Sequence, residues 1–166
     1  IRLARAGYQT QLLSSTTREE ANNRLWPWIR QRSRWLKGYA VTWWVHARRP
    51  RALRRDLGLW KTAGFHGLFL TTLLQFALAP VLWSFWLVIF GLPHPAQDWL
   101  SDRAMTTLVL TFLAAEGVSI LVSLAAVARS PHTRLMPWVP TLLAYYPLGT
   151  VALFKGLWEI VARPFY

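Results

Sequence analysis

The chain has 166 residues, 54% of them hydrophobic, and its eleven Trp are far more than a soluble domain of this size carries. This composition favours contact with a lipid bilayer and weighs against an ordinary soluble domain. The absence of cysteine excludes disulfides and thiolate metal sites. The net charge of +12 is concentrated in residues 1–64, where fourteen Lys and Arg face three acidic residues, so a basic front precedes a nearly neutral apolar part.

A basic front of this kind is typical of a cytoplasmic face that lies on anionic lipid or binds anionic substrates, and nucleic acid is the competing partner. Residues 1–7 show no signal-peptide pattern and are typical of the end of a helix, so we expect the chain to be a piece of a longer protein. Residues 8–13 are typical of a short strand. Two overlapping capping boxes within residues 16–20 predict the start of a helix.

The next predicted helix covers residues 26–47, with Pro27 in its first turn and Pro50 beyond its end. Trp and Tyr alternate along it with Arg and Lys, a pattern that suits the membrane surface better than a dry core. Residues 51–61 are expected to continue along that surface.

Two membrane spans are predicted after the basic front. Residues 62–97 contain no Lys, Arg, Asp or Glu, and the apolar part at 65–90 exceeds the roughly 20 residues that a crossing needs. Pro80 near its middle makes that span a candidate for a kink. The second span, at 104–128, contains one ionisable residue, Glu116.

The connection after the second span, residues 129–135, carries two Arg and no acid. The positive-inside rule therefore places this connection and the basic front in the cytoplasm. The last apolar stretch, 136–161, is interrupted by three Pro. A plain crossing and a pair of short helices forming a re-entrant or interfacial hairpin both remain open for it.

Residues 31–35 have the sequence Gln-Arg-Ser-Arg-Trp and form the most informative motif of the chain. At about 100° per residue, one narrow stripe of the predicted helix presents an amide, a guanidinium, an indole and a glycine, from Gln31, Arg34, Trp35 and Gly38. The guanidinium suits phosphate oxygens and the flat indole suits a sugar ring. The stripe therefore predicts a site for a diphosphate beside a carbohydrate, while Arg32 points roughly a quarter turn away.

This pentapeptide resembles the QxxRW motif of membrane-integrated family 2 inverting glycosyltransferases, which include cellulose and hyaluronan synthases. Residues 1–8 are similar to the segment that follows the catalytic-base aspartate of these enzymes, and residues 16–21 resemble the approach to the motif helix. Residues 162–166 look like a stretch near the end of some bacterial members. The resemblance covers residues 1–61 well and the membrane spans only in their layout.

The resemblance implies that Arg34 contacts the nucleotide diphosphate, that Trp35 forms the floor for the terminal sugar of the acceptor, and that Gln31 and Arg32 shape the same wall. It also implies a catalytic base just upstream of Ile1 and a divalent cation, Mg or Mn, in the full-length enzyme. The DxD motif and catalytic aspartate of the family have no match in this chain. We therefore expect the chain to contain no catalytic residue and no metal ligand, and to be inactive alone.

The expected architecture is mainly α. A remnant of an upstream α/β glycosyltransferase domain, with one helix and one short strand, is expected at 1–25, the interfacial helices that carry QxxRW at 26–61, and the membrane region at 62–166. The expected function is transfer of a sugar from a nucleotide-sugar donor to a glycan or lipid-linked acceptor, as in a polysaccharide synthase. It would take place at the cytoplasmic face of a bacterial-type inner membrane, which the chain crosses more than once. The expected partners are these substrates, membrane lipids and the upstream catalytic domain, without nucleic acid.

The sequence suggests two other functions. A non-catalytic membrane scaffold or transporter subunit with a basic interfacial anchor is supported by the broken last segment. A membrane-tethered nucleic-acid binder is disfavoured because no nucleic-acid module is recognisable. Glu116 is a candidate channel-lining residue, with a structural carboxyl as the alternative. Lys155 and Glu159 are spaced for an intrahelical ion pair, and the histidines have no metal-ligand spacing and are predicted to be structural.

Overall fold

The computed structural model describes residues 1–9, 11, 13, 15, 20 and 22–162, which are mainly helical. The helices are α1 (Arg2–Arg5), α2 (Leu25–Ala47), α3 (Pro50–Ile89), α4 (Asp102–Ala128) and α5 (Tyr145–Ala162), with a 3₁₀ segment (Thr133–Ala144) before α5. The chain divides into two compact units. Unit 1 contains Ile1–Ala77 together with the chain from Val151 onward, and unit 2 contains Leu78–Thr150.

The short strand predicted at residues 8–13 is not shown. The described residues of this stretch, Tyr8, Gln9, Gln11 and Leu13, have no regular secondary structure, and no strand occurs elsewhere among the described residues. A strand needs a hydrogen-bonded neighbour, and the described part of the chain offers none here. The helix start predicted at residues 16–20 lies outside the described residues, apart from Glu20.

Helix α2 confirms the helix predicted at residues 26–47. It begins at Leu25 after Arg24, which is in extended conformation, and Pro27 lies in the first turn, where its missing N–H has no helical partner to lose. It ends at Ala47, shortly before Pro50. One side is buried in unit 1 through Ile29, Ser33, Leu36 and His46.

A short apolar cluster and an arginine hold α1 to the start of α3. Leu53, Leu57 and Phe65 are buried together, and Ala4, Trp43 and Phe69 pack against them. Beside this cluster, Arg5 donates hydrogen bonds from Nε and Nη2 to Oδ2 of Asp56, at 2.9 and 2.8 Å. Its Nη1 lies 3.1 Å from Nδ1 of His46 on α2. The contacts of Arg5 therefore connect three helices.

Helix α3 is broken at Gly58, where φ is 75° and ψ is 172°. Glycine reaches this positive φ without the steric cost that a side chain would impose. The basic part of about two turns that starts at Pro50 is thus separated from the apolar helix that follows. Pro80, the sequence-based candidate for a kink, keeps helical dihedral angles, so the backbone changes direction at the glycine.

Helices α3 and α4 are long and apolar enough to span a membrane, with mean hydropathies of 1.8 and 2.1 over their most apolar 18 residues. Only 17% and 6% of those residues are buried. A core helix of a soluble protein would bury most of such a surface, whereas lipid-facing helices leave it uncovered. The span predicted at 104–128 lies within α4, and the span predicted at 65–90 lies within α3 apart from its last residue.

The turn between α3 and α4 is ordered by local hydrogen bonds within unit 2. Gly91, with φ of 70°, follows α3, and the N–H of Leu92 reaches the carbonyl of Leu87 at 2.8 Å, which closes the helix end. His94 stacks on Phe85 with ring centroids 5.1 Å apart and lies 2.8 Å from Ser84 Oγ. Buried Phe85 packs with Met105 and Phe112 of α4, joining the two helices.

The last apolar stretch is a 3₁₀ segment followed by an α-helix. Pro137 and Pro140 lie within Thr133–Ala144, where their missing N–H groups prevent a regular α-helical ladder. The chain becomes α-helical at Tyr145 and remains so to Ala162. The 3₁₀ segment contacts α4. The choice between a plain crossing and a re-entrant or interfacial hairpin at 136–161 stays a prediction.

Candidate functional site

An open cleft of about 930 Å³ lies in unit 1 between α2 and α5. Its polar lining comes from Asn22, Arg30, Gln31, Arg34 and Lys37 on one side and from Lys155 and Glu159 on the other. Four of these side chains are cationic and one is a carboxylate, which leaves a net charge of +3 on the lining. A surplus of this size in a concave surface attracts anions.

The α2 side of the cleft is one face of the helix. Its residues recur every three or four positions, which places them in line above one another: Pro27, Arg30, Gln31, Arg34, Lys37, Gly38 and Val41. Three members of the predicted stripe, Gln31, Arg34 and Gly38, are therefore brought together at the cleft. Arg30 and Lys37 extend the same face with two more cations.

The amide of Gln31 is held by a residue ahead of the helix. Asn22 Nδ2 donates a hydrogen bond of 2.6 Å to Gln31 Oε1. This contact engages the acceptor oxygen of the Gln31 amide, and Nε2 is the donor end of the same amide. The amide is thus arranged to donate to an acceptor-rich ligand, which matches the sign of the surrounding charge.

Trp35 and Arg32 lie on a neighbouring face of α2. Trp35 follows Arg34 by one residue and so leaves the helix about 100° further round, and it does not line the cleft. The guanidinium carbon of Arg32 lies 5.0 Å from the centroid of the Trp35 ring and 5.4 Å from that of Trp28. The Trp35 side chain is 52% exposed. The binding roles expected for Gln31, Arg32, Arg34 and Trp35 stay predictions.

A glycine on α5 sets the second wall of the cleft. Gly156 is buried, and a Cβ atom added to it would lie 2.9 Å from the carbonyl oxygen of Ser33 and 3.5 Å from the amide nitrogen of Lys37. Ser33 is itself fully buried. The two helices therefore approach at backbone distance, as small residues allow.

The close approach at Gly156 carries Lys155 and Glu159 into the cleft. Their side chains form the predicted intrahelical ion pair and are 25% and 28% exposed. Spacing on one helix does not reveal which other helix these two residues meet, so their place in the cleft could not be predicted from the sequence. The available signal was Gly156 between them, a small residue within an apolar helix.

Three histidines hold structural contacts. His66 Nδ1 accepts from Trp43 Nε1 at 3.1 Å, and His94 caps the turn before α4. His46 is buried, and that burial, with the nearby Arg5 cation, lowers its pKa. The hydrogen bonds from Arg5 likewise lower the pKa of Asp56. Both groups are thereby kept in the charge state that the Arg5 contacts require.

Glu116 lies in a separate small cavity of about 160 Å³ in unit 2. Ser119 and Ser123 line it from the same face of α4, at the third and seventh positions after Glu116, and Tyr145 and Tyr146 line it from the start of α5. Oε2 of Glu116 exposes less than 1 Å² and has no hydrogen-bond partner among the described residues. A channel-lining role for Glu116 stays a prediction.

Within the described part of the chain, no group of three or more His, Cys, Asp or Glu side chains is placed to hold a metal ion. No step of the chemistry below is therefore assigned to metal ligands of this chain. In comparisons with known proteins, no family model matches the chain, no curated protein matches it and no solved structure matches it.

Proposed function

We propose that this chain is the membrane part of an inverting glycosyltransferase that moves a sugar from a nucleotide-sugar donor to a glycan or lipid-linked acceptor at the cytoplasmic face of a membrane. The observation that carries the proposal is the cationic cleft. Arg34 and Gln31 of the QxxRW pentapeptide line it together with Arg30 and Lys37. A nucleotide-sugar presents a diphosphate, for which guanidinium groups are the preferred partners.

Trp35 has the properties of an acceptor platform. Its ring is half exposed, and Arg32 lies over it. An acceptor sugar would stack on the part of the ring that Arg32 leaves open, and its hydroxyl groups would point away from the apolar face. Since Trp35 and Arg34 are adjacent in sequence, the donor and the acceptor would bind side by side at the same turn of α2.

Membrane attachment is supported by α3 and α4 together with exposed indoles beside the basic segment. Trp26, Trp44, Trp60 and Trp158 are 51%, 62%, 86% and 70% exposed. Indoles favour the boundary between headgroups and hydrocarbon, and the adjacent arginines favour anionic lipid. We infer an inner-membrane protein of bacterial type that crosses the bilayer more than once, with the cleft on the cytoplasmic side.

In the proposed reaction, the chain's own residues bind and orient. Arg34, Arg30 and Lys37 would compensate the charge that develops on the leaving diphosphate, and Gln31 would donate to one of its oxygens. A divalent cation bound in the full-length enzyme would add Lewis-acid stabilisation of the same leaving group. The base that removes the acceptor proton would be an aspartate outside this chain, and the product would have inverted stereochemistry.

Trp35→Ala in the full-length protein tests the proposal, with Trp44→Ala as the matched control. Both indoles are exposed on α2, and nine positions of about 100° place them on opposite sides of the helix. Transfer of radiolabelled sugar should fall about tenfold or more in Trp35→Ala and stay near the wild-type rate in Trp44→Ala. Equal rates in the two variants would remove the assignment.

A second candidate is a non-catalytic membrane scaffold with a basic interfacial anchor. The stacking of Arg32 on Trp35 and Trp28 outside the cleft favours it, because this arrangement suits the membrane surface. It predicts no sugar transfer by the wild-type protein. It also predicts that Trp35→Ala and Trp44→Ala weaken membrane retention to a similar extent.

A further inference from the structure

The Lys155–Glu159 pair is not arranged as an ordinary helix-stabilising pair. The two side chains line the cationic cleft and are only about a quarter exposed. Their order is Lys before Glu, which is the less stabilising direction on a helix. The position of the pair therefore suggests a role toward the contents of the cleft.

The charge balance of the cleft points to what that role is. Glu159 is the single carboxylate among the described residues that line the cleft, and it contacts Lys155. Arg30, Arg34 and Lys37 of α2 line the cleft opposite this pair. An anion that enters the cleft would therefore meet three cations on one helix and a fourth that a carboxylate neutralises on the other.

We propose that Lys155 is a second anion ligand and that Glu159 is its built-in counter-ion, which a diphosphate group displaces on binding. The inference deepens the proposed function and rests on it for the identity of the ligand. A diphosphate presents acceptor oxygens at both phosphorus atoms, so one end can reach the guanidinium groups of α2 while the other receives the ammonium group of Lys155.

Gly156 gives this arrangement its rigidity. Because α5 touches α2 at backbone distance beside Ser33, the helix turn that carries Lys155 and Glu159 is held at a set separation from Arg34 and Lys37. Preorganised cations bind an anion without a further ordering cost. The displaced Glu159 carboxylate is partly exposed and can be hydrated on release.

The test measures binding of inorganic pyrophosphate to the full-length protein in neutral-lipid nanodiscs by calorimetry. Lys155→Met should weaken binding about fivefold to twentyfold, as expected for loss of one charge-assisted hydrogen bond in a partly open site. Lys155→Arg should retain affinity within about threefold, because it keeps the charge. Glu159→Gln should tighten binding about threefold or more, because the competing carboxylate is gone while the side-chain shape is kept.

Lys61→Met is the control, because Lys61 is exposed and does not line the cleft. Its affinity should equal that of the wild type. The proposal is overturned by unchanged affinity in Lys155→Met, by equal losses in Lys155→Met and Lys155→Arg, by unchanged or weaker binding in Glu159→Gln, or by no binding to the wild type. Competition by phosphatidylglycerol added to the nanodiscs would identify a lipid headgroup as the occupant and would also overturn it.

The outcome separates this proposal from the proposed function. If the affinity pattern is observed and no sugar is transferred, the anion site stands and the glycosyltransferase assignment fails. If sugar is transferred at the same rate by the wild type and by Lys155→Met, and pyrophosphate affinity is also unchanged, the assignment stands and the role of Lys155 fails.

Discussion

The contact between Gly156 and Ser33 can be tested by adding a single methyl group. In Gly156→Ala the new Cβ would lie 2.9 Å from the Ser33 carbonyl oxygen, whereas ordinary van der Waals contact begins near 3.4 Å. Helices α2 and α5 must therefore separate by about 0.5 Å at this point. The atom in the way belongs to the backbone of a helix, so it cannot move aside as a side-chain tip would.

Two opposing free energies decide the sign of the effect. Overpacking of a close contact costs roughly 1–3 kcal/mol. Alanine in place of glycine inside a helix raises the free energy of unfolding by about 1 kcal/mol because of its higher helix propensity. The overpacking cost is larger, so we expect Gly156→Ala to lower the free energy of unfolding by about 1 kcal/mol.

The assay is unfolding in mixed detergent micelles, followed by the fluorescence of the eleven Trp. Gly64→Ala serves as the control, because, apart from the neighbouring backbone of its own helix, no atom of the described residues lies within 4 Å of the position where its Cβ would be. That variant should be as stable as the wild type or up to about 1 kcal/mol more stable. A Gly156→Ala protein at least as stable as the wild type would show that the close approach of α2 and α5 is not real.

Three other predictions concern the charged groups. Arg34→Lys keeps the charge but loses the planar fork, so KM for the nucleotide-sugar should rise about tenfold in donor titrations, and an unchanged KM would contradict a diphosphate contact. The pKa of His46 is lowered by burial and by Arg5, so the unfolded chain binds more protons than the folded chain, and the free energy of unfolding should fall as pH drops below 6.5. Arg5 also lowers the pKa of Asp56, which should add a further loss of stability below pH 3.8. Unfolding midpoints measured against pH should show the first decline, and His46→Gln should abolish it. Glu116→Gln should reduce secreted polysaccharide relative to total product if Glu116 lines a channel, and unchanged secretion would leave the residue a structural carboxyl.

Local signals in the sequence predicted most of the helices. The apolar part of the charge-free run at 62–97 requires a helix because a membrane leaves no water to satisfy backbone groups, and α3 covers this run as far as Ile89. Pro27 and Pro50 marked the limits of α2 because proline is accepted in a first helical turn and rejected in the interior. The break in α3 was missed, since Gly58 adopts a positive φ that glycine permits and does not require.

For the candidate site too, the sequence predicted some features and the structure supplied the others. Helical periodicity alone was enough to put Gln31 and Arg34 on one face, because the angle between residues is a property of the helix itself. The same periodicity predicted the ion pair between Lys155 and Glu159.

Only the tertiary structure decided that this pair faces the cations of α2 and that Trp35 stacks with Arg32 outside the cleft. Both depend on where α5 contacts α2, and that contact is made by Gly156 and Ser33, 123 positions apart in the sequence. Spacing along one helix carries no information about which distant backbone will approach it, so packing had to supply the second wall of the site.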